Sequence, residues 1–174
     1  MRAIIARHAF EGLIRSAILA VKYRGRTRLA PFLAATVTAA LEARPVSADL
    51  VVPVPLGPRR LRHRGFNQSE LIADKVAAFL NVPIETQALI RNRETDEQVK
   101  LSAADRRRNV AGTFTAIDTA RCHAARILLV DDVCTTGATL EACGAALLEA
   151  GAAAVWAVVV GREVPGGPGS SRRR

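Results

Sequence analysis

Four apolar residues, Ile127-Leu128-Leu129-Val130, run straight into two adjacent carboxylates, Asp131 and Asp132. A stretch rich in hydroxyls follows, Val133-Cys134-Thr135-Thr136-Gly137-Ala138-Thr139, and then a helical pattern begins. The order predicts a buried strand that ends in a charged turn and opens a helix. In a parallel sheet the carboxyl ends of the strands face the crevice where ligands bind. The turn offers backbone N–H groups and hydroxyls to an anion, reinforced by the helix N-terminus. Carboxylates just before it suit diol hydroxyls or a hydrated cation. The expectation is a site that grips a phosphate at one end and a sugar diol at the other.

The rest of the chain places that motif in a fold. Phe10, Leu13, Ile14, Ala17, Ile18 and Val21 recur at three- and four-residue spacing, predicting a helix over 10–22. A basic turn, Lys22 to Arg26, separates it from a second helix over 27–43, with Pro31 tolerated early and Pro45 marking the end. Residues 49–55 read as a buried strand closed by prolines, and 56–68 as a polar basic loop. Ser69 or Asn67 caps a helix over 68–80. Residues 82–90 return as extended chain, and 91–110 are the most polar part, with a capping box from Ser102 to Asp105. A strand is expected around Phe114, then strand 126–131, helix 137–150 ending at Gly151, and strand 155–160. Apolar strands alternating with amphipathic helices indicate an α/β fold with a mainly parallel sheet flanked by helices. One domain is expected over 1–160, with 1–45 as a small N-terminal helical hood and 46–160 as the core. Residues 161–174 read as a disordered basic tail.

Charge and cysteine usage narrow the function classes. Twenty-five basic against sixteen acidic residues give a net charge of +9, which favours polyanionic partners. Cys122, Cys134 and Cys143 form no CxxC pair, so neither a disulfide framework nor a zinc site is expected, and the compartment is read as reducing cytoplasm. No apolar run reaches transmembrane length and no membrane partner is expected. A strand ending in Asp-Asp also occurs in P-loop NTPases, but those need a lysine after glycine. Lys22, Lys75 and Lys100 follow Val21, Asp74 and Val99. The dinucleotide fingerprint GxGxxG is absent. A receiver domain would carry its acidic pair near the start of the fold rather than in the penultimate strand.

The whole stretch, Asp-Asp-Val-x-Thr-Thr-Gly-x-Thr after four apolar residues, closely resembles the phosphoribosyl pyrophosphate motif of type I phosphoribosyltransferases. The resemblance implies that Asp131 and Asp132, the catalytic pair, hold the ribose 2′- and 3′-hydroxyls. It implies that Cys134, Thr135, Thr136, Gly137, Ala138 and Thr139 wrap the 5′-phosphate. Further segments resemble the ComF family of competence-related phosphoribosyltransferase-like proteins: Lys22-Tyr23-Arg24-Gly25, Pro53-Val54-Pro55-Leu56, Arg64-Gly65-Phe66-Asn67-Gln68, and Arg93-x-Thr95-x-x-Gln98-x-x-Leu101 followed by Arg107-x-Asn109. The resemblance runs from about residue 13 to residue 160. Family members often begin with a cysteine-rich zinc module. This chain has no cysteine before Cys122, so roles that depend on the module are not carried over.

The resemblance implies a magnesium-dependent pentosyl transferase that takes phosphoribosyl pyrophosphate, with Asp131 and Asp132 as the protein groups nearest the magnesium on the substrate. Negative charge grows on the leaving pyrophosphate, so a clamp is expected. Pro55, Leu56, Arg59 and Arg64 are its candidates, because guanidinium groups bind phosphate oxygens bidentately. Gln98, Lys100 and Arg107 are the expected polar groups on a closing lid over 92–110. The acceptor and the oligomeric state are not encoded. Two other readings stay open: a non-catalytic sensor of phosphoribosyl pyrophosphate or a nucleotide, and a DNA-uptake accessory that binds single-stranded DNA or a competence helicase. Only 4% of the residues are aromatic, which gives little to stack bases upon.

Overall fold

The computed structural model describes residues 1–92, 112–117 and 119–163. Its centre is a parallel sheet of β1 (Ile4–Ala9), β2 (Leu50–Pro53), β5 (Arg126–Cys134) and β6 (Ala154–Arg162), in the order β1-β6-β5-β2. Two short antiparallel strands, β3 (Leu89–Arg91) and β4 (Phe114–Ala116), form a separate ribbon. The two middle strands carry the most continuous apolar runs, as full coverage on both faces requires. Ile127 to Val130 are all fully buried.

Alternation along these strands divides the core in two. Ile127, Leu129, Ala157 and Val159 face one cluster, with Leu140, Cys143 and Leu147 of helix α6 (Ala138–Glu149). Leu128, Val130, Val158 and Val160 face the other, with Ile18 and Val21 of α1 (Gly12–Arg24), Leu33 and Val37 of α2 (Ala30–Ala43), and Ile72 and Val76 of α4 (Gln68–Leu80). Two shorter helices, α3 (Pro58–Arg64) and α5 (Thr119–Cys122), and a single 3-10 turn at Thr27–Leu29 complete the described elements. The α/β reading with a mainly parallel sheet flanked by helices therefore holds. No helix among the described residues is long and apolar enough to cross a membrane.

The structure departs from the sequence expectation in several places. Helix α1 runs on through Arg24 and takes in Lys22 and Tyr23 of the expected basic turn. The N-terminal segment supplies an edge strand, β1, as well as its helices. With Arg7 and His8 inside it and only Ile5 fully buried, β1 carries no clean period; its pairing along β6 settles it. The basic stretch expected as a loop is mostly helix α3, opened by Pro58 and closed by Gly65 in the left-handed region. It buries no residue, so it has no apolar face to announce it, and its arginines and Leu61 are good helix formers. Strand β5 continues past the expected end at 131 through Cys134, because β6 also runs on to Arg162 and keeps pairing with it. Gly161 and Arg162, assigned above to the tail, are therefore strand. The short helix α5 was not anticipated, since four residues hold no period. The remainder of the tail, 164–174, and the capping box from Ser102 to Asp105 lie outside the described residues.

Leu129 has no exposed surface, whereas Leu13 is 72% exposed. Leu129→Ala is expected to cost about 2–5 kcal/mol in urea unfolding at an unchanged m-value. Leu13→Ala should stay within about 0.5 kcal/mol.

Candidate functional site at the carboxyl edge of the sheet

Strand β2 pairs with β5 so that Pro53 lies opposite Val130, and Val54 N–H donates to the Val130 carbonyl at 2.9 Å. The chain leaving β2 and the acidic end of β5 thus emerge side by side at the carboxyl edge of the parallel sheet. Asn67 stitches this edge together. Its side-chain amide donates to the Val54 carbonyl at 3.0 Å, and its Oδ1 accepts the Ser69 N–H at 3.1 Å, capping α4. Of the two cap candidates the structure selects Asn67. That leaves the Ser69 hydroxyl free for a different task.

The task is Asp131. Ser69 Oγ donates to Asp131 Oδ1 at 2.7 Å, and the Asp132 backbone N–H donates to the same oxygen at 2.8 Å. Asp131 is 9% exposed and Asp132 only 3%. Across the site, Lys22 Nζ of α1 lies 2.8 Å from Asp132 Oδ2. At that distance the ammonium is a charge-assisted partner of the carboxylate. Asp132 Oδ2 is thus a buried oxygen held by Lys22. Burial pushes the Asp131 carboxyl up to about 7, with the neighbouring Asp132 charge adding to the rise. Lys22, the Ser69 hydroxyl and the Asp132 amide pull the other way.

Beyond the carboxylates the chain bends at 135–137 and enters α6 at Ala138. Gly137 is its N-cap, at φ +84°, and no side chain caps the helix. The Thr136 hydroxyl accepts from Ala138 N at 3.4 Å. Gly137 is favoured by its φ, which lies where L side chains are strained; an added Cβ would also sit close to Ile4 Cδ1, at 3.3 Å. Thr135 is exposed, and Thr136 and Thr139 are partly so, leaving hydroxyls at the mouth of the turn. Cys134, at the end of β5, is 2% exposed and its thiol is pushed up mainly by burial, the opposite of an activated nucleophile.

The clamp candidates divide. Pro55 and Leu56, half-buried, lie in the connection after β2, while Arg59 and Arg64 lie near the two ends of α3. Arg64 is engaged within the protein: its guanidinium donates to Gln68 Oε1 and lies 5.8 Å from the centre of the Tyr23 ring. The lid candidates Gln98, Lys100 and Arg107 lie outside the described residues. Sequence reasoning missed Lys22 and Ser69 as site residues. Lys22 falls inside the Lys-Tyr-Arg-Gly segment already singled out, but nothing in its spacing pointed across the fold to Asp132.

Residues 67–167, more than half of the chain, match the family model described as the phosphoribosyl transferase domain. DNA utilization protein YhgH of Escherichia coli (strain K12) is 39% identical over 107 residues, covering 62% of this chain and 46% of that protein. Competence protein F of Haemophilus influenzae is 37% identical over 94 residues, covering 53% of this chain and 41% of that protein. The matches thus span less than half the length of these curated relatives. Among solved structures, a glutamine phosphoribosylpyrophosphate amidotransferase from B. subtilis, complexed with ADP and GMP, aligns with a TM-score of 0.49. It is 26% identical over 78% of this chain and 26% of that chain.

Two outcomes follow from the geometry. A carboxyl raised in the folded state stabilises the fold in its protonated form, fully below the unfolded value of about 4, and that contribution is lost as pH rises through 7. Ligand-free protein is therefore expected to lose stability over roughly pH 4–7 through Asp131. Asp131→Asn should flatten that part of a pH series of denaturation midpoints; an unchanged slope contradicts the assignment. Gly137→Ala should lower stability by about 1–2 kcal/mol, read from the same unfolding curves.

Proposed function

We propose that this chain, which belongs to the phosphoribosyl transferase domain family, binds phosphoribosyl pyrophosphate at the carboxyl edge of its sheet and transfers the phosphoribosyl group to a nucleophile. The observation that carries the reading is the buried Asp131–Asp132 pair set directly before an uncapped, hydroxyl-lined helix start. In this reading the two carboxylates accept hydrogen bonds from the ribose diol. The amides and hydroxyls of 134–139 hold the 5′-phosphate. The connection from Pro55 and the arginines of α3 meet the pyrophosphate. The bond from C1 to the pyrophosphate oxygen breaks as the bond to the nucleophile forms on the opposite face. The chain's contribution is fixed geometry and stabilisation of the leaving charge.

Magnesium fits as a companion of the substrate. Asp131 and Asp132 are adjacent buried carboxylates, and no cluster of three or more metal-ligating side chains occurs among the described residues. Asp131 and Asp132 are the groups that would meet the ion through the sugar hydroxyls, and it would supply charge neutralisation to the diphosphate.

A second reading draws on the names of the relatives and on the charge. Proteins named for DNA utilization and competence share 37–39% identity with this chain, which carries +9. Arg59, Arg60, Arg62 and Arg64 sit on one short helix. A link to DNA uptake through a basic surface accords with this, beside the pocket rather than in place of it. The three cysteines are buried and none is in a disulfide, which accords with a reducing cytoplasm.

Calorimetry with magnesium and phosphoribosyl pyrophosphate tests the pocket. Binding is expected for the wild type. Asp131→Asn together with Asp132→Asn should weaken it by roughly tenfold or more, since hydrogen bonds to a charged acceptor are worth about 1.5–3 kcal/mol. Unchanged binding defeats the assignment. Pyrophosphate release across a panel of nucleobases and amines then separates a transferase from a sensor, which would bind and release none.

A further inference from the structure

We propose that Lys22 is the positioning residue of the diol site, holding the Asp132 carboxylate in place as a hydroxyl acceptor. This rests on the sugar-phosphate reading above.

Two neighbouring carboxylates inside a protein need a counter-charge, and within the described residues Lys22 is the cation paired with Asp132. It comes from the last turn of α1, where the helix C-terminus favours a positive group and Gly25, left-handed at φ +60°, closes the turn. The contact engages Oδ2 at 2.8 Å. An ionised carboxylate has about four acceptor sites over its two oxygens, so Asp132 held in this way keeps capacity for a donor that the ligand brings. A ribose hydroxyl is such a donor. Lys22 is 20% exposed in its side chain, so it borders the crevice rather than lying beneath it.

The same turn of α1 also reaches the other half of the site. Tyr23 lies against the Arg64 guanidinium, Arg64 donates to Gln68, and Gln68 adjoins Ser69, whose hydroxyl holds Asp131. One end of one helix thus touches Asp132 directly and joins the row of contacts that ends at Asp131. Both carboxylates are oriented from outside their own strand, and Lys22 is the member that acts on Asp132.

The test compares ribose 5-phosphate, 2-deoxyribose 5-phosphate and inorganic phosphate on the full chain by calorimetry. The wild type is expected to prefer the ribose compound by roughly tenfold, the size of one charge-assisted hydrogen bond. Lys22→Met should reduce that preference to within about twofold while leaving the affinity for inorganic phosphate unchanged, a split that a general loss of structure would not give. Lys22→Arg, which retains the charge but alters its reach, should retain part of the preference. Should the methionine variant fail to fold, Lys22→Gln carries the same test, and a full wild-type preference in it overturns the proposal. A methionine variant that keeps the wild-type preference overturns it too. So does one that binds ribose 5-phosphate more tightly, since Lys22 would then be an obstruction. A wild type that does not distinguish the two sugars defeats the diol reading itself, and this inference with it.

Discussion

Two carboxylates side by side at the buried end of a strand cannot both hold charge without partners, and the partners here come from three separate elements. Ser69 from the start of α4 and the Asp132 amide hold Asp131; Lys22 from the end of α1 faces Asp132. The acidic pair is therefore met by the end of α1 and the start of α4. The apolar alternation of Leu128 and Val130 packs those same helices against the sheet face. Core packing and the electrostatics of the site thus call for the same arrangement of helices, and such agreement between levels marks a well-specified fold.

Much of this was legible in the chain. The continuous run Ile127 to Val130 announced a buried middle strand, and the hydroxyl-rich turn after Asp132 announced the helix start that Gly137 opens. The resemblance to the ComF family is borne out by the matched family model and by relatives named for competence and DNA utilization. What escaped is what sequence periodicity cannot carry. Strand β1 takes its identity from pairing with β6, some 150 residues away. Helix α3 has no buried face. The Lys22–Asp132 pair joins residues 110 positions apart, and the segment that holds Lys22 was recognisable without its role being so. Ser69 looked like a cap until Asn67 took that place and left its hydroxyl to Asp131.

The described part of the site is cross-braced within the chain. Asn67 ties the chain after β2 to α4, Ser69 ties α4 to β5, and Tyr23 ties α1 to α3 through Arg64. A crevice held this way spends little binding energy on rearrangement, which is what a reaction governed by positioning asks of its protein.

The most direct measurement is a crystal structure of the chain with phosphoribosyl pyrophosphate and magnesium. The account predicts the 5′-phosphate seated in the turn 135–139, and the ribose diol within hydrogen-bond distance of Asp131 and Asp132. A bound molecule whose phosphate lies elsewhere, or whose hydroxyls leave both carboxylates untouched, would contradict it.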